Sequence, residues 1–260
     1  MSNFFLAAGT LWWREVVRFL RQRSRIVGAL GQPIVFWLLI GAGFQGAFRQ
    51  CGATENVDYL EYFFPGVLAM MILFTAIFST ISVVEDRREH FLQGVLAAPV
   101  PRSAVVLGQA LGGASLALIQ GILLLVLSPL AGILLTLRGV AVLVATMLLL
   151  AFALTNLGLF IAWRMDSTQG FHSIMNLILI PLWVLSGAVF PATSAHPWLG
   201  AFMRINPFAY GVAALRHIIY LERPELAGEI PGLGLSLIVT VIFGAAAFLA
   251  ASRVARRSGG

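Results

Sequence analysis

Midway between two long apolar stretches the chain carries Glu85-Asp86-Arg87-Arg88-Glu89-His90, an unbroken run of titratable residues. It continues into Phe91-Leu92-Gln93-Gly94-Val95-Leu96, and Pro99 and Pro101 close the segment before Arg102. Phe91, Leu92, Val95 and Leu96 recur at helical spacing. The prolines end a helix, because each lacks an amide donor and clashes with the preceding turn. The chemistry offered is recognition rather than catalysis: charges that set register, and apolar side chains that bury in a partner's groove. The pattern predicts a short, stiff amphipathic helix, although by composition alone it also reads as an ordinary charged loop.

Catalytic constellations are poorer. His90, His172, His196 and His217 are scattered, with no H-E-x-x-H motif and no paired carboxylates. The lone Cys51 permits neither an internal disulfide nor a multi-cysteine metal site. Ser186-Gly187 faintly resembles the nucleophile of an intramembrane serine protease. However, no glycine stands two residues before the serine, and no His lies inside an apolar run to act as its base. Small residues that let helices approach closely account for the pair. All 17 basic residues are arginine. Without a lysine the chain cannot form a Walker A loop, which needs one on the nucleotide phosphates.

The elements that must position these residues follow from composition. Hydrophobic residues make up 59% and charged residues 11% of the 260 positions. Soluble domains carry about 25% charged residues, and a chain this apolar, with mean hydropathy +0.91, has no soluble core large enough to hold the surplus. Six stretches reach the length of about 20 apolar residues that a membrane-crossing helix needs: 26–47, 62–84, 103–127, 139–163, 171–190 and 231–252. None holds Asp, Glu or Arg in its interior. The expectation is an all-α polytopic membrane protein of one domain. It comprises an amphipathic interface helix at 1–25, six spans over 26–252 and a tail at 253–260.

Arginine placement orients the spans by the positive-inside rule. With the N-terminus in the cytoplasm, the inner segments hold Arg14, Arg18, Arg21, Arg23, Arg25, Arg87, Arg88, Arg102, Arg164, Arg253, Arg256 and Arg257. Arg49, Arg138, Arg204, Arg216 and Arg223 remain outside. This topology explains the formal charge of +6 better than nucleic-acid binding does. Residues 208–221 are apolar enough to suggest a seventh span. Asn206-Pro207 instead forms a good N-cap and first turn, Arg216 and His217 fall mid-run, and a seventh span would move the C-terminal arginines outside. Residues 196–203 and 207–222 therefore read as short helices dipping into the outer leaflet. No cleavable signal peptide is apparent.

At about 100° per residue, Arg14, Arg18, Arg21 and Arg25 share one stripe, with Trp12, Val16, Phe19 and Leu20 opposite and Arg23 out of pattern. Such a helix lies among headgroups, its arginines toward anionic lipid or a partner, or serves as a passive anchor. Inside the spans the deeper polar residues are Gln32, Gln109, Gln120, Asn156 and Asn176, with no ionisable group to relay protons. An autonomous proton-driven carrier is thus disfavoured. Gly108 and Gly112 have the spacing that allows close helix packing. Phe36, Trp37, Phe44, Trp183 and Phe190 are candidates to line an amphipathic path.

The run from Glu85 to Arg102, with its charged opening, Phe91-Leu92, Leu96 and Ala98-Pro99-Val100-Pro101-Arg102, resembles the coupling region of type-2 ABC exporter permeases. Gln32-Pro33 with Trp37, Gly41 and Gly43 is similar to that family's first span. Leu185-Ser186-Gly187-Ala188-Val189-Phe190-Pro191 resembles its fifth-span exit, and Arg204-Ile205-Asn206-Pro207-Phe208-Ala209-Tyr210 with Leu215-Arg216 resembles its outer hairpin. The resemblance covers essentially the whole chain.

It implies a permease dimer, a homodimer in preference to a heterodimer, in the cytoplasmic (inner) membrane, paired with separate ABC ATPase subunits that hold the ATP and Mg. The chain itself would hold no cofactor or metal. Glu85, Asp86, Arg87, Arg88, Glu89, Phe91, Leu92, Leu96 and Pro99 would couple to the ATPase, beside Arg14, Arg18, Arg21 and Arg25 on the interface helix. Ser186, Gly187, Pro191, Asn206, Pro207 and Arg216 would belong to the outer hairpin. The cargo implied is amphipathic or lipid-linked. A scaffold that transports nothing, or an intramembrane hydrolase at Ser186, are the competing readings.

Overall fold

An uncharged apolar segment in lipid must satisfy its own backbone groups, and a helix does so without a neighbour. The computed structural model describes residues 2–21, 23–50, 59–97, 100–190, 196–224, 227 and 230–257, and among these no strand occurs. The first helix, α1 (Ser2–Arg21), precedes α2 (Arg23–Gln50). Next, α3 (Tyr59–Ser79) continues almost unbroken into α4 (Ile81–Arg88), with the Thr80 amide still bonded to Ile77 O at 3.0 Å. A sharp corner leads to α5 (Phe91–Ala97). Beyond it come α6 (Arg102–Leu125), α7 (Leu137–Ala162), α8 (Thr168–Trp183), α9 (Pro197–Ile205), α10 (Pro207–Ile219) and α11 (Leu233–Arg257).

Among the described residues five helical stretches are long and apolar enough to cross a membrane: Tyr59–Arg88, Arg102–Leu125, Leu137–Ala162, Thr168–Ala188 and Leu233–Arg257. A sixth apolar run, Leu30–Gly43, is shorter and lies inside α2. The chain is thus a polytopic all-α membrane protein. The stretch that suggested a seventh span is the 13-residue α10, which at about 1.5 Å per residue is too short to cross.

The centre of the molecule is α3, packed by α2, α6, α7, α8 and α10. Phe63, Phe64, Leu68, Ile72, Leu73 and Ile77 along it are fully buried. By contrast, α8 exposes Ile174, Leu177, Ile178 and Ile180, and α11 exposes Leu235, Ile238, Val241, Ile242 and Leu249. Apolar faces of that extent are at home in lipid or against another membrane subunit.

Two local features shape the ends. Pro181 inside α8 removes an amide donor, and the helix relaxes into a π-type turn at Val184–Ala188, where Gly187 adopts φ +79°. This turn packs on α3 at Gly66, where a Cβ would stand 2.5 Å from Ala188 O. The second feature is the packing of α1 along α6. There Gly108 admits Ala8 O, which a Cβ would meet at 2.6 Å, and Gly112 admits the Glu15 side chain. The glycine spacing noted in the sequence therefore receives the N-terminal helix.

Candidate functional site

The arginine stripe of α1 converges with the carboxylates of α4 at one end of the bundle, the charged end. Arg14 donates from both terminal nitrogens to Asp86, at 2.7 Å to each oxygen. Arg18 donates to Asp86 at 3.1 Å and to Glu85 at 2.6 Å. Asp86 is completely buried, yet its charge is answered by two guanidinium groups that keep partial contact with water. A paired guanidinium–carboxylate fork of this kind fixes orientation as well as proximity. The sequence reading turned this stripe toward lipid or a partner; Arg14 and Arg18 turn inward instead, because Glu85 and Asp86 sit within reach. Arg21 is exposed, and the Arg25 side chain lies outside the described residues.

Between these ion pairs and α6 lies Glu15, only 7% exposed and 3.2 Å from Arg14. Burial raises its carboxyl above the usual range and the nearby Asp86 adds to the effect, against the opposing pull of Arg14 and Arg18.

Glu85, Asp86, Arg87 and Arg88 ride on α4, the end of a long spanning helix, rather than on the short helix the sequence suggested. The corner follows at Glu89 and His90, where His90 holds φ +62°, a left-handed conformation that L side chains rarely adopt. Beyond it α5 splits its apolar residues. Leu92 is buried in the core, whereas Phe91 is 41% exposed, with the Arg14 guanidinium 3.9 Å above its ring centroid. Leu96 belongs to α5 but its side chain lies outside the described residues, as does Pro99 entirely.

Arg87 locks the corner from the other side. It donates to Trp163 O at 2.9 Å and to Asp166 at 3.1 Å, in the segment joining α7 to α8. A groove of about 240 Å³ remains beside α5, lined by residues that include Arg87, Arg88, Leu92, Trp163 and Asp166. Arg88 and Glu89 are exposed. At the same end Arg102 donates to Ala255 O and Arg256 O. The N-terminal helix, the corner and the end of α11 thus gather at one pole.

A larger cavity, about 550 Å³, runs from this pole between α2, α3 and α8. Gln32, Thr75, Ser79, Glu85, Gln120 and His172 give it polar points, and Met70, Met71, Phe74, Phe78 and Ile81 its apolar wall. The sequence reading named Gln32 and Gln120 as deep polar residues but missed Phe74 and Phe78. Thr75 and Ser79, one helical turn apart on the same stretch, were the available signal.

Of the path candidates whose side chains are described, Phe36, Trp37, Trp183 and Phe190, none lines this cavity. Trp37 is buried and donates to Leu60 O at 3.0 Å, and Trp183 donates to Gly66 O at 2.9 Å. Phe36 is exposed and meets Trp183 edge-on with centroids 6.4 Å apart. Phe190 is half-buried. The Phe44 side chain lies outside the described residues.

At the far pole Asn206 caps α10, its oxygen accepting from Phe208 N at 3.0 Å, with Pro207 in the first turn. Its amide donates to Leu182 O and Leu185 O at 2.8 and 3.1 Å, tying α10 to the end of α8. Ser186 donates to Trp183 O, a bond within its own turn. Arg216 is buried on α10. Pro191 lies outside the described residues.

An all-α membrane domain with a clamped corner at one pole defines a polytopic membrane subunit. The comparisons agree: residues 7–220 match the family described as ABC-2 type transporter, and the chain belongs to it as a permease subunit. Among its relatives is nodulation protein J of Rhizobium leguminosarum bv. viciae, 27% identical over 97% of this chain and 96% of that one. A putative transport permease, ycf38 of Cyanophora paradoxa, is 25% identical over 91% and 84%. The inner membrane transport permease YadH of Escherichia coli K12 is 22% identical over 84% of each chain.

Proposed function

We propose that this chain is the membrane-spanning subunit of an ATP-driven exporter, working as a homodimer in the inner membrane with both termini in the cytoplasm. A separate ABC ATPase, carrying the ATP and Mg, docks at the charged pole. Family membership and the arginine bias support this orientation. The observation that carries the reading is the locked corner. Arg14, Arg18 and Arg87 bind α4 to α1 and to the segment after α7, while Phe91 of α5 points outward. A push on α5 is then transmitted to α1, α3 and α7 together instead of being absorbed locally.

In this arrangement Arg88 and Glu89 set register with the ATPase, Phe91 and Leu96 supply apolar anchors, and Leu92 holds α5 to the bundle. Glu85, Asp86 and Arg87 act from within. The cavity between α2, α3 and α8, apolar with scattered polar points, suits an amphipathic or lipid-linked cargo. The exposed faces of α2 and α8, including Val35, Leu39, Leu177 and Ile180, suit a second copy.

The test is co-expression with a cognate ATPase and purification of the complex. Phe91→Asp is expected to abolish co-purification and cargo-stimulated ATP hydrolysis while lowering the unfolding temperature of the permease only slightly, by the loss of the Arg14 contact. Full retention of both by Phe91→Asp sinks the docking assignment. A stable complex whose ATP turnover never responds to any amphipathic cargo identifies a scaffold instead.

A further inference from the structure

Arg216 lies in the middle of α10, is only 2% exposed, and has no salt-bridge partner among the described residues. Its guanidinium rests 4.4 Å from the Tyr62 ring centroid and donates one bond, to the Tyr62 hydroxyl at 3.3 Å. Among the described residues neither its buried Nε nor its buried Nη2 has an acceptor. Glu61, the residue before Tyr62, pairs with Arg223 at 3.4 Å. Arginine stays protonated in proteins, and a buried cation without a counter-charge is strongly unfavourable. The missing partner is an anion.

The surroundings have room for one. Arg216 lines a cavity of about 110 Å³ together with Tyr62, Ser186, Gly187, Arg204 and Tyr210. Its described lining contains a second cation, Arg204, and no carboxylate. The mouth is formed by exposed residues, Arg204 and Pro231. Its depth is also informative. Gly187 is the last residue but one of the apolar Thr168–Ala188 stretch and Pro231 lies two residues before Leu233–Arg257, so the cavity sits where two membrane-crossing helices reach the bilayer surface. The neighbouring α9 exposes Trp198, Phe202 and Ile205, side chains suited to the headgroup boundary.

We infer that the Arg216 cavity is an oxyanion site for a phosphate group at the far membrane surface, filled by the headgroup of an anionic phospholipid. Two free guanidinium donors in a fork match a tetrahedral oxyanion better than a neutral headgroup. The two arginines of the described lining favour phosphatidylglycerol over zwitterionic phosphatidylcholine. The site is separate from the cavity between α2, α3 and α8 and does not depend on which cargo the permease moves.

The test uses the full-length chain, delipidated in neutral detergent and titrated with phosphatidylglycerol, phosphatidylcholine or inorganic phosphate. Retained adducts are read by native mass spectrometry and stability by the unfolding temperature. The wild type is expected to retain one phosphatidylglycerol and to gain several degrees from it, with a weaker response to phosphatidylcholine. Arg216→Gln is expected to weaken the phosphatidylglycerol adduct about tenfold or more, the worth of a charge-assisted bond. Ala209→Leu, which narrows the cavity and keeps the arginine, is expected to do the same, and decides the matter if Arg216→Gln fails to fold. Stabilisation by inorganic phosphate alone, lost in both variants, supports the oxyanion site with free phosphate as its source. Equal phosphatidylglycerol adducts and shifts in the wild type and Ala209→Leu overturn the proposal.

Discussion

Arg14 and Asp86 face each other as a fork against a fork, two parallel bonds of 2.7 Å joining the N-terminal helix to the end of a spanning helix. Asp86 is buried while Arg14 keeps contact with water. Removing the acid therefore leaves cations that re-solvate, whereas removing the arginine strands a buried carboxylate. Asp86→Ala is expected to destabilise the chain by roughly 2–3 kcal/mol, below the cost of breaking a fully buried pair. Arg14→Ala should cost at least as much, although Arg18 still reaches Asp86. Unfolding of the purified permease measures both, and a double-mutant cycle should give a coupling energy of at least about 1 kcal/mol. Additive effects would show that the fork contributes no joint energy.

Glu15 titrates in this cluster with its carboxyl raised above the ordinary value of 4.5. A raised native value means that the folded state favours the protonated form. The contribution from Glu15 is fully present below pH 4.5 and is lost as pH rises through the native value. Glu15→Gln cannot ionise, so it should match or exceed the wild type in stability at pH 7. Its advantage should shrink as the pH falls toward the ordinary carboxylate value. Thermal unfolding of both proteins across that interval checks the slope, and a Glu15→Gln deficit that grows with pH would reverse the assignment.

The spans were legible because lipid imposes a blunt rule, long apolar runs without charge, and residues 103–127 or 139–163 meet it without tertiary information. The brevity of α10 was legible for a local reason, since Asn206-Pro207 marks a helix start and Arg216 resists the bilayer. The inward turn of Arg14 and Arg18 was not. A stripe of arginines has the same period whether it faces lipid or a carboxylate some seventy positions away, and periodicity names a face without naming its neighbour. The corner at His90 was hidden similarly: Glu85 to Leu96 has unbroken helical spacing, and only packing of Arg87 onto Trp163 O shows where the chain turns. The cavity beside α3 depends on which helices diverge, so its aromatic wall of Phe74 and Phe78 could not be told from ordinary core.

Gly108 and Gly112 make the docking of α1 on α6 depend on missing side chains. A Cβ at Gly108 would stand 2.6 Å from the Ala8 carbonyl oxygen, a backbone atom that cannot swing aside. Gly108→Leu is therefore expected to push α1 off α6 and to cost about 1–3 kcal/mol, as overpacking usually does. Displacement should also break the Trp12 bond to Ser115, now 3.0 Å. Protease sensitivity of the N-terminal helix should rise in Gly108→Leu, with the bundle beyond Tyr59 still protected. An unchanged digestion pattern would mean that α1 is held by its arginines alone.

Asn206 performs two tasks that substitution can separate. Its oxygen caps α10 at Phe208 N, while its amide nitrogen reaches Leu182 O and Leu185 O beside the π-type turn that ends α8. Those carbonyls lie in and beside the wide turn that interrupts the regular helical pattern, and the side chain supplies donors to them. Asn206→Ala removes the cap, worth about 1 kcal/mol, and both donations, for a combined loss of roughly 2–4 kcal/mol. Asn206→Asp keeps the acceptor for the cap but sets a carboxylate against two carbonyl oxygens. If tying α10 to α8 is the larger task, the aspartate variant should be no more stable than the alanine variant, as read from unfolding temperatures in detergent. Recovery of wild-type stability by Asn206→Asp would reduce the residue to a helix cap.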